Sequence, residues 1–96
     1  MSKYELALVV SAKIEDDERA AVVDKAKALI ERFGGTEINV DDWGKKKLAY
    51  EVQKMSEAFY YFIKFDADTT APEQIESRVR IMDNVVRYLI VKADEQ

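Results

Sequence analysis

The chain has 96 residues, 48% hydrophobic and 35% charged, with no cysteine and no histidine. This suits one globular domain over residues 1–96 that buries roughly 60–65% of its unfolded surface, with little room for a deep internal active site. The missing residue types exclude a disulfide framework, thiolate chemistry, and the commonest general base and metal ligand; the formal net charge of −4 argues against tight, unaided binding to nucleic acid, which needs excess Lys and Arg against the phosphates.

The stretch Tyr4 to Val10 alternates, with Tyr4, Leu6, Leu8 and Val10 on one face and Glu5, Ala7 and Val9 on the other. That is a strand with one core face and one partly apolar face. Its immediate start after Met1-Ser2-Lys3 does not resemble a signal peptide, and no run is long and apolar enough for a membrane span, so a cytoplasmic protein is expected. Asp16, Asp17 and Glu18 then suit the positive end of a helix dipole. Val22 or Val23, Ala26, Leu29 or Ile30, and Phe33 recur at helical spacing, and Gly34-Gly35 ends the helix.

Thr36 to Val52 predicts an unusually long strand, with Ile38 and Val40 in phase with Leu48, Tyr50 and Val52. Trp43 is out of phase, and Gly44 beside it allows a bend or bulge. Gln53 to Glu57 is a hairpin connection, and Ala58 to Ala67 a third strand. Phe59, Tyr61, Ile63, Phe65 and Ala67 share one of its faces, with Tyr60, Phe62 and Lys64 on the other. Thr70-Ala71-Pro72-Glu73 fits a capping box. Ile75, Val79 and Met82 mark a short helix that Asp83-Asn84 stops. Val85 to Lys92 is the last strand, with Val86, Tyr88 and Ile90 in phase, and Ala93 to Gln96 a frayed tail.

Strand, helix, strand, strand, helix, strand is the split βαβ pattern of ferredoxin-like folds. The expected fold is therefore α+β: a four-stranded antiparallel sheet with both helices packed on one face. Ala7, Val9, Tyr60, Phe62, Leu89 and Val91 then form an apolar surface on the other face. Soluble monomers seldom leave such a patch bare, so a partner surface is expected at Val9, Trp43, Tyr60, Phe62, Leu89 and Val91, for protein or RNA. The RNA recognition motif shares this architecture, and its third-strand signature is partly matched from Phe59 to Phe65. Tyr60, Phe62, Ile63 and Phe65 fit it, whereas Phe59 and Tyr61 replace glycines and Ala58 a basic residue. A single-stranded RNA binder acting through the open sheet face is thus the alternative reading. No Gly-rich phosphate loop is present, and Ser11-Ala12-Lys13-Ile14 lacks the Arg of acylphosphatase-like anion loops. No enzyme activity, catalytic residue, metal site or cofactor is expected.

One stretch exceeds what a core strand needs. Trp43-Gly44-Lys45-Lys46-Lys47-Leu48-Ala49-Tyr50 places three consecutive lysines after Asp41-Asp42. With Lys3-Tyr4-Glu5, Gly34-Gly35, Asn84-Val85 and Arg87-Tyr88, it closely resembles the bacterial ribosomal small-subunit protein six family along nearly the whole chain. Where that family often carries Arg, this chain has Lys, which lacks the planar fork for bidentate phosphate contacts. The resemblance implies a non-catalytic ribosomal protein. It would bind the central domain of small-subunit ribosomal RNA as a heterodimer with ribosomal small-subunit protein eighteen, whose positive charge answers the acidity of this chain. The RNA contacts expected here are Lys3, Tyr4, Lys45, Lys46, Lys47, Arg80, Arg87 and Lys92, with Lys3, Arg87 and Lys92 forming one patch across the paired first and last strands.

Overall fold

The computed structural model describes residues 1–52 and 54–93. The order is β1 (Ser2–Ser11), α1 (Asp16–Arg32), β2 (Thr36–Val52), β3 (Met55–Ala67), α2 (Ala71–Val79) and β4 (Val85–Lys92). The four strands form one sheet in the order β2-β3-β1-β4, every neighbouring pair antiparallel. Alternation puts Leu6, Leu8 and Val10 of β1 beside Ile63 and Phe65 of β3. They pack with Ala26 and Ile30 of α1 and Ile75 and Val79 of α2. The largest of these side chains are almost fully buried, each worth roughly 1.5–3 kcal/mol against exposure. Both helices therefore cover one face, as expected, and leave the other open.

The helix ends follow local chemistry. At the start of α1, the Glu18 carboxylate accepts the Glu15 backbone N–H at 3.0 Å. At its end, Gly34 adopts φ +89°. Gly34 N–H then donates to the Glu31 carbonyl at 3.0 Å and Gly35 N–H to the Ile30 carbonyl at 2.8 Å, the paired bonds of a Schellman motif. In the first turn of α1, Arg19 bonds the Asp16 carboxylate at 2.7 Å and lies 3.6 Å over the Phe59 ring. Tyr61 first, and then Asp16, raise its pKa against the opposing effect of burial. The capping box expected at Thr70 does not form. Thr70 is helical (φ −86°, ψ −16°) and its side chain caps nothing, because a capping side chain needs an extended N-cap backbone. Ala71 N–H donates instead to the Asp68 carbonyl at 3.0 Å.

Several boundaries and phases differ from the sequence expectation. β3 begins at Met55, within the expected hairpin connection; its buried sulfur accepts the Ser11 hydroxyl at 3.4 Å. Ala93 is not frayed, since its N–H donates to the Lys3 carbonyl at 2.7 Å. Gln53 of the expected connection and residues 94–96 of the expected tail lie outside the described residues. In β4 the register shifts, with Val10 opposite Val85 and Val9 opposite Arg87. Val86 is the extra residue, and Val85 joins Tyr88 and Ile90 against the core in its place.

Candidate nucleic-acid and partner interface

The basic stretch of β2 is shaped by a bulge just before it. Asp42 pairs with Tyr61 and Gly44 with Tyr60, which leaves Trp43 as an extra residue. Gly44 takes φ +75°, cheap only without a Cβ. Both aspartates build this bend: Asp41 accepts the Trp43 indole N–H at 2.9 Å, and Asp42 the Gly44 backbone N–H at 2.8 Å. The Trp43 ring swings over the open face and packs on Phe62 at 4.7 Å between centroids, tilted by 59°. Charge reversal within this stretch thus has a structural cause on its acidic side.

One extra residue inverts every side chain that follows. Val40 and Asp42 face the helix side, opposite Ile63 and Tyr61, whereas Lys46 pairs with Ala58 in the open-face phase. Lys45 and Lys47 pair with Phe59 and Glu57 in the other phase. Lys45 Nζ lies 4.0 Å from the Glu57 carboxylate and 6.0 Å from the Phe59 ring centre. Lys46 and Lys47 are exposed, and no salt bridge holds them among the described residues. The same inversion corrects the placement of Tyr50. Expected in the core phase of Ile38 and Val40, it is 61% exposed and lies on the opposite face.

Beyond Lys47 the chain leaves the ladder. Lys47 pairs with Glu57 and Val52 with Met55, so Leu48, Ala49, Tyr50 and Glu51 stand against Ser56 alone. This arm crosses the open face. β2 and β4 are opposite edges of the sheet, separated by three spacings of about 4.8 Å. Yet Arg87 Nη2 of β4 donates to the Tyr50 hydroxyl at 2.5 Å, and its guanidinium lies 5.0 Å from the Tyr50 ring centre. Leu48, Ala49, Tyr50, Tyr60 and Arg87 line a hollow of about 100 Å³. Val9, opposite both Tyr60 and Arg87, is only 6% exposed. Parity counting missed Tyr50; the signal that finds it is Trp43-Gly44 itself, once phase is inverted after the bulge.

The remaining expected residues separate into groups. Leu89 and Val91 are exposed on the open face of β4, Tyr60 and Phe62 are half-buried, and Trp43 is 53% exposed. Tyr4 lies in the core, its ring 5.8 Å from that of Phe65, because it shares the phase of Leu6 and Leu8. Lys3 bonds Asp66 at 3.2 Å across the β1–β3 ladder. Arg80 is exposed just after α2. The expected patch of Lys3, Arg87 and Lys92 divides. Lys92 pairs with Tyr4 but Arg87 pairs with Val9, five residues further along β1, or about 17 Å. Among the described residues no cluster of carboxylates is placed to hold a metal ion, and no helix is long and apolar enough to cross a membrane.

The profile of the family described as Ribosomal protein S6 matches residues 3–92. The chain belongs to the ribosomal protein S6 family. It is 44% identical over 91 residues to small ribosomal subunit protein bS6 of Clostridium botulinum, covering 95% of this chain and 97% of that one. To the protein of the same name from Clostridium kluyveri it is 43% identical over 95 residues, covering 99% and 100%. Its fold is similar to the crystal structure of 30S ribosomal protein S6 from Thermotoga maritima, with a TM-score of 0.89 at 26% identity over 96% of this chain and 87% of that chain. The S6 membership and the S6 fold agree with the resemblance carried by residues 43–50 and with the expected ferredoxin-like topology.

Proposed function

We propose that the chain is a structural, non-catalytic component of the small ribosomal subunit in the cytoplasm. It binds the central domain of small-subunit ribosomal RNA as a heterodimer with ribosomal small-subunit protein eighteen. The observation that carries this reading is the S6 match along residues 3–92. The surface supports it in two ways. Exposed Lys46 and Lys47 sit beside an arm that reaches over the sheet, while a chain of net charge −4 lacks the cations to neutralise many phosphates alone. Leu89 and Val91 offer a protein partner a dry contact on an edge strand.

In this reading Lys45, Lys46, Lys47, Arg80, Arg87, Lys3 and Lys92 reach RNA, and Trp43, Tyr60, Phe62, Leu89 and Val91, over Val9, meet the partner protein. Tyr4, buried with its ring beside Phe65, is left out of this reading. The single-strand alternative needs bare rings on the sheet. Here Trp43 lies on Phe62, and the arm carrying Tyr50 shares a hollow with Tyr60, so the geometry does not favour it.

Band-shift titrations of a central-domain RNA fragment at about 0.15 M salt test the proposal with this chain alone, the partner alone, and both. The pair should bind tightly and this chain alone poorly. Tight binding of single strands without the partner would favour the alternative, and no complex in any mixture would overturn the proposal.

A further inference from the structure

The four-residue arm is held over the open face in an unusual way. It has left the ladder with β3, as Leu48 to Glu51 stand opposite one residue. Tyr50 and Arg87 link it to the far edge through one hydrogen bond and one ring–guanidinium contact. Tyr50 is largely exposed even so. A contact of this size favours the closed arrangement by roughly ten- to a hundredfold, not more. Beneath it lie Val9 and Tyr60, on the face where exposed Leu89 and Val91 continue the apolar surface. The arm therefore occupies ground next to bare apolar surface, through a link that a bound partner can outbid. Among the described strand residues, Arg87 shares this face with the cations Lys3, Lys46 and Lys64.

We propose that Tyr50 and Arg87 form a latch. In the free chain it holds the arm across the open face and shields Val9 and Tyr60. When the partner protein occupies that face, the latch opens, the arm of Leu48 to Glu51 swings outward from beside the laddered Lys46 and Lys47, and the Arg87 guanidinium becomes free for a phosphate. The opening step rests on the function proposed above; the closed latch does not. Such a device lowers the apparent affinity of the partner by the fraction of chains that are open.

The chain has no cysteine, so two spin labels are placed without background, at Glu51→Cys on the arm and Ser77→Cys on α2, both exposed. In the free chain the label-to-label distance should be narrowly distributed. Adding Tyr50→Ala should broaden it, and Tyr50→Phe, which keeps the ring contact but loses the hydroxyl, should fall between. The partner with central-domain RNA should move the unaltered chain to a new distance. Tyr50→Ala without labels should bind the partner about tenfold more tightly, because no closed state competes. Equal free-chain distributions for Tyr50 and Tyr50→Ala overturn the latch. Weaker partner binding by Tyr50→Ala overturns its opening, since Tyr50 is then a direct contact. Loss of all binding by the unaltered chain overturns the proposed function and with it the opening step, while the free-chain distances still decide whether the latch exists.

Discussion

Gly34 and Gly35 end α1 side by side, yet alanine should cost different amounts at each, for different reasons. Gly34 has φ +89°, and a Cβ built there meets nothing within 4 Å. Gly34→Ala thus carries only the backbone cost of a left-handed L-residue, about 1–2 kcal/mol. At Gly35 a Cβ would lie 2.3 Å from Ile30 Cγ2 and 2.8 Å from the Ile30 carbonyl oxygen. Ile30 is fully buried, and a β-branched side chain in a helix has one favoured rotamer, so Cγ2 has nowhere to turn. The oxygen is itself the acceptor of the Gly35 N–H, so backing the chain away breaks that bond. Repacking at about 1–3 kcal/mol and a lost hydrogen bond at about 0.5–1.5 kcal/mol put Gly35→Ala near 2–4 kcal/mol. A domain of this size holds only about 5–15 kcal/mol in total. Urea unfolding measures both variants, with the midpoint falling at unchanged slope; the melting temperature should drop about 4–8 °C per kcal/mol. If Gly35→Ala loses no more than Gly34→Ala, the steric argument is wrong.

Trp43→Ala removes the cover of Phe62. Just under half of the indole is buried, roughly 120 Å², which sets an upper bound near 3 kcal/mol and an expected loss of about 2 kcal/mol; an apolar dye should bind the variant more strongly, and unchanged dye binding would contradict the packing. Arg19 carries a buried Nε with no hydrogen-bond partner among the described residues. Arg19→Met exchanges the guanidinium over Phe59 for an apolar side chain and removes that unpaired atom, so its urea midpoint should stay within about 0.5 kcal/mol of the parent, whereas Arg19→Ala should lose about 2 kcal/mol. Replacing Lys46 and Lys47 together by Gln should flatten the salt dependence of RNA assembly by about 1.4–1.8 in log–log slope, with less effect from Lys45→Gln, which gives up a contact shared with Glu57. An unchanged slope would remove both lysines from the RNA surface.

Local signals in the sequence reach far into this fold. Alternation from Tyr4 to Val10, the Gly34-Gly35 stop and the strand limits at Thr36, Val52, Val85 and Lys92 all depend on neighbours in sequence, and the structure holds them. What fails depends on counting through an irregularity. Trp43 adds one residue, and Leu48 and Tyr50 change faces; Val86 adds another, and Val85 takes its place in the core. The Thr70 cap fails because backbone angles, not residue types, decide where a hydroxyl points. Within the candidate site, the lysine run was visible as a run, and its bend was visible at Gly44. The division of its three side chains between two faces, and the reach of Tyr50 to Arg87 from the opposite edge, come from register and sheet order, which composition does not encode.

Sheet order also bears on how the chain folds as it is made. β1 is interior, between β3 and β4, but β4 is made after the other three strands of the sheet. Throughout translation the strand carrying Leu6, Leu8 and Val10 has one flank without its hydrogen-bonded neighbour. β1 and β4 close that gap only once Val85–Lys92 has been made, a slow, long-range pairing. Until then β1 is an exposed template for other nascent chains, and the hazard ends when Val85–Lys92 docks.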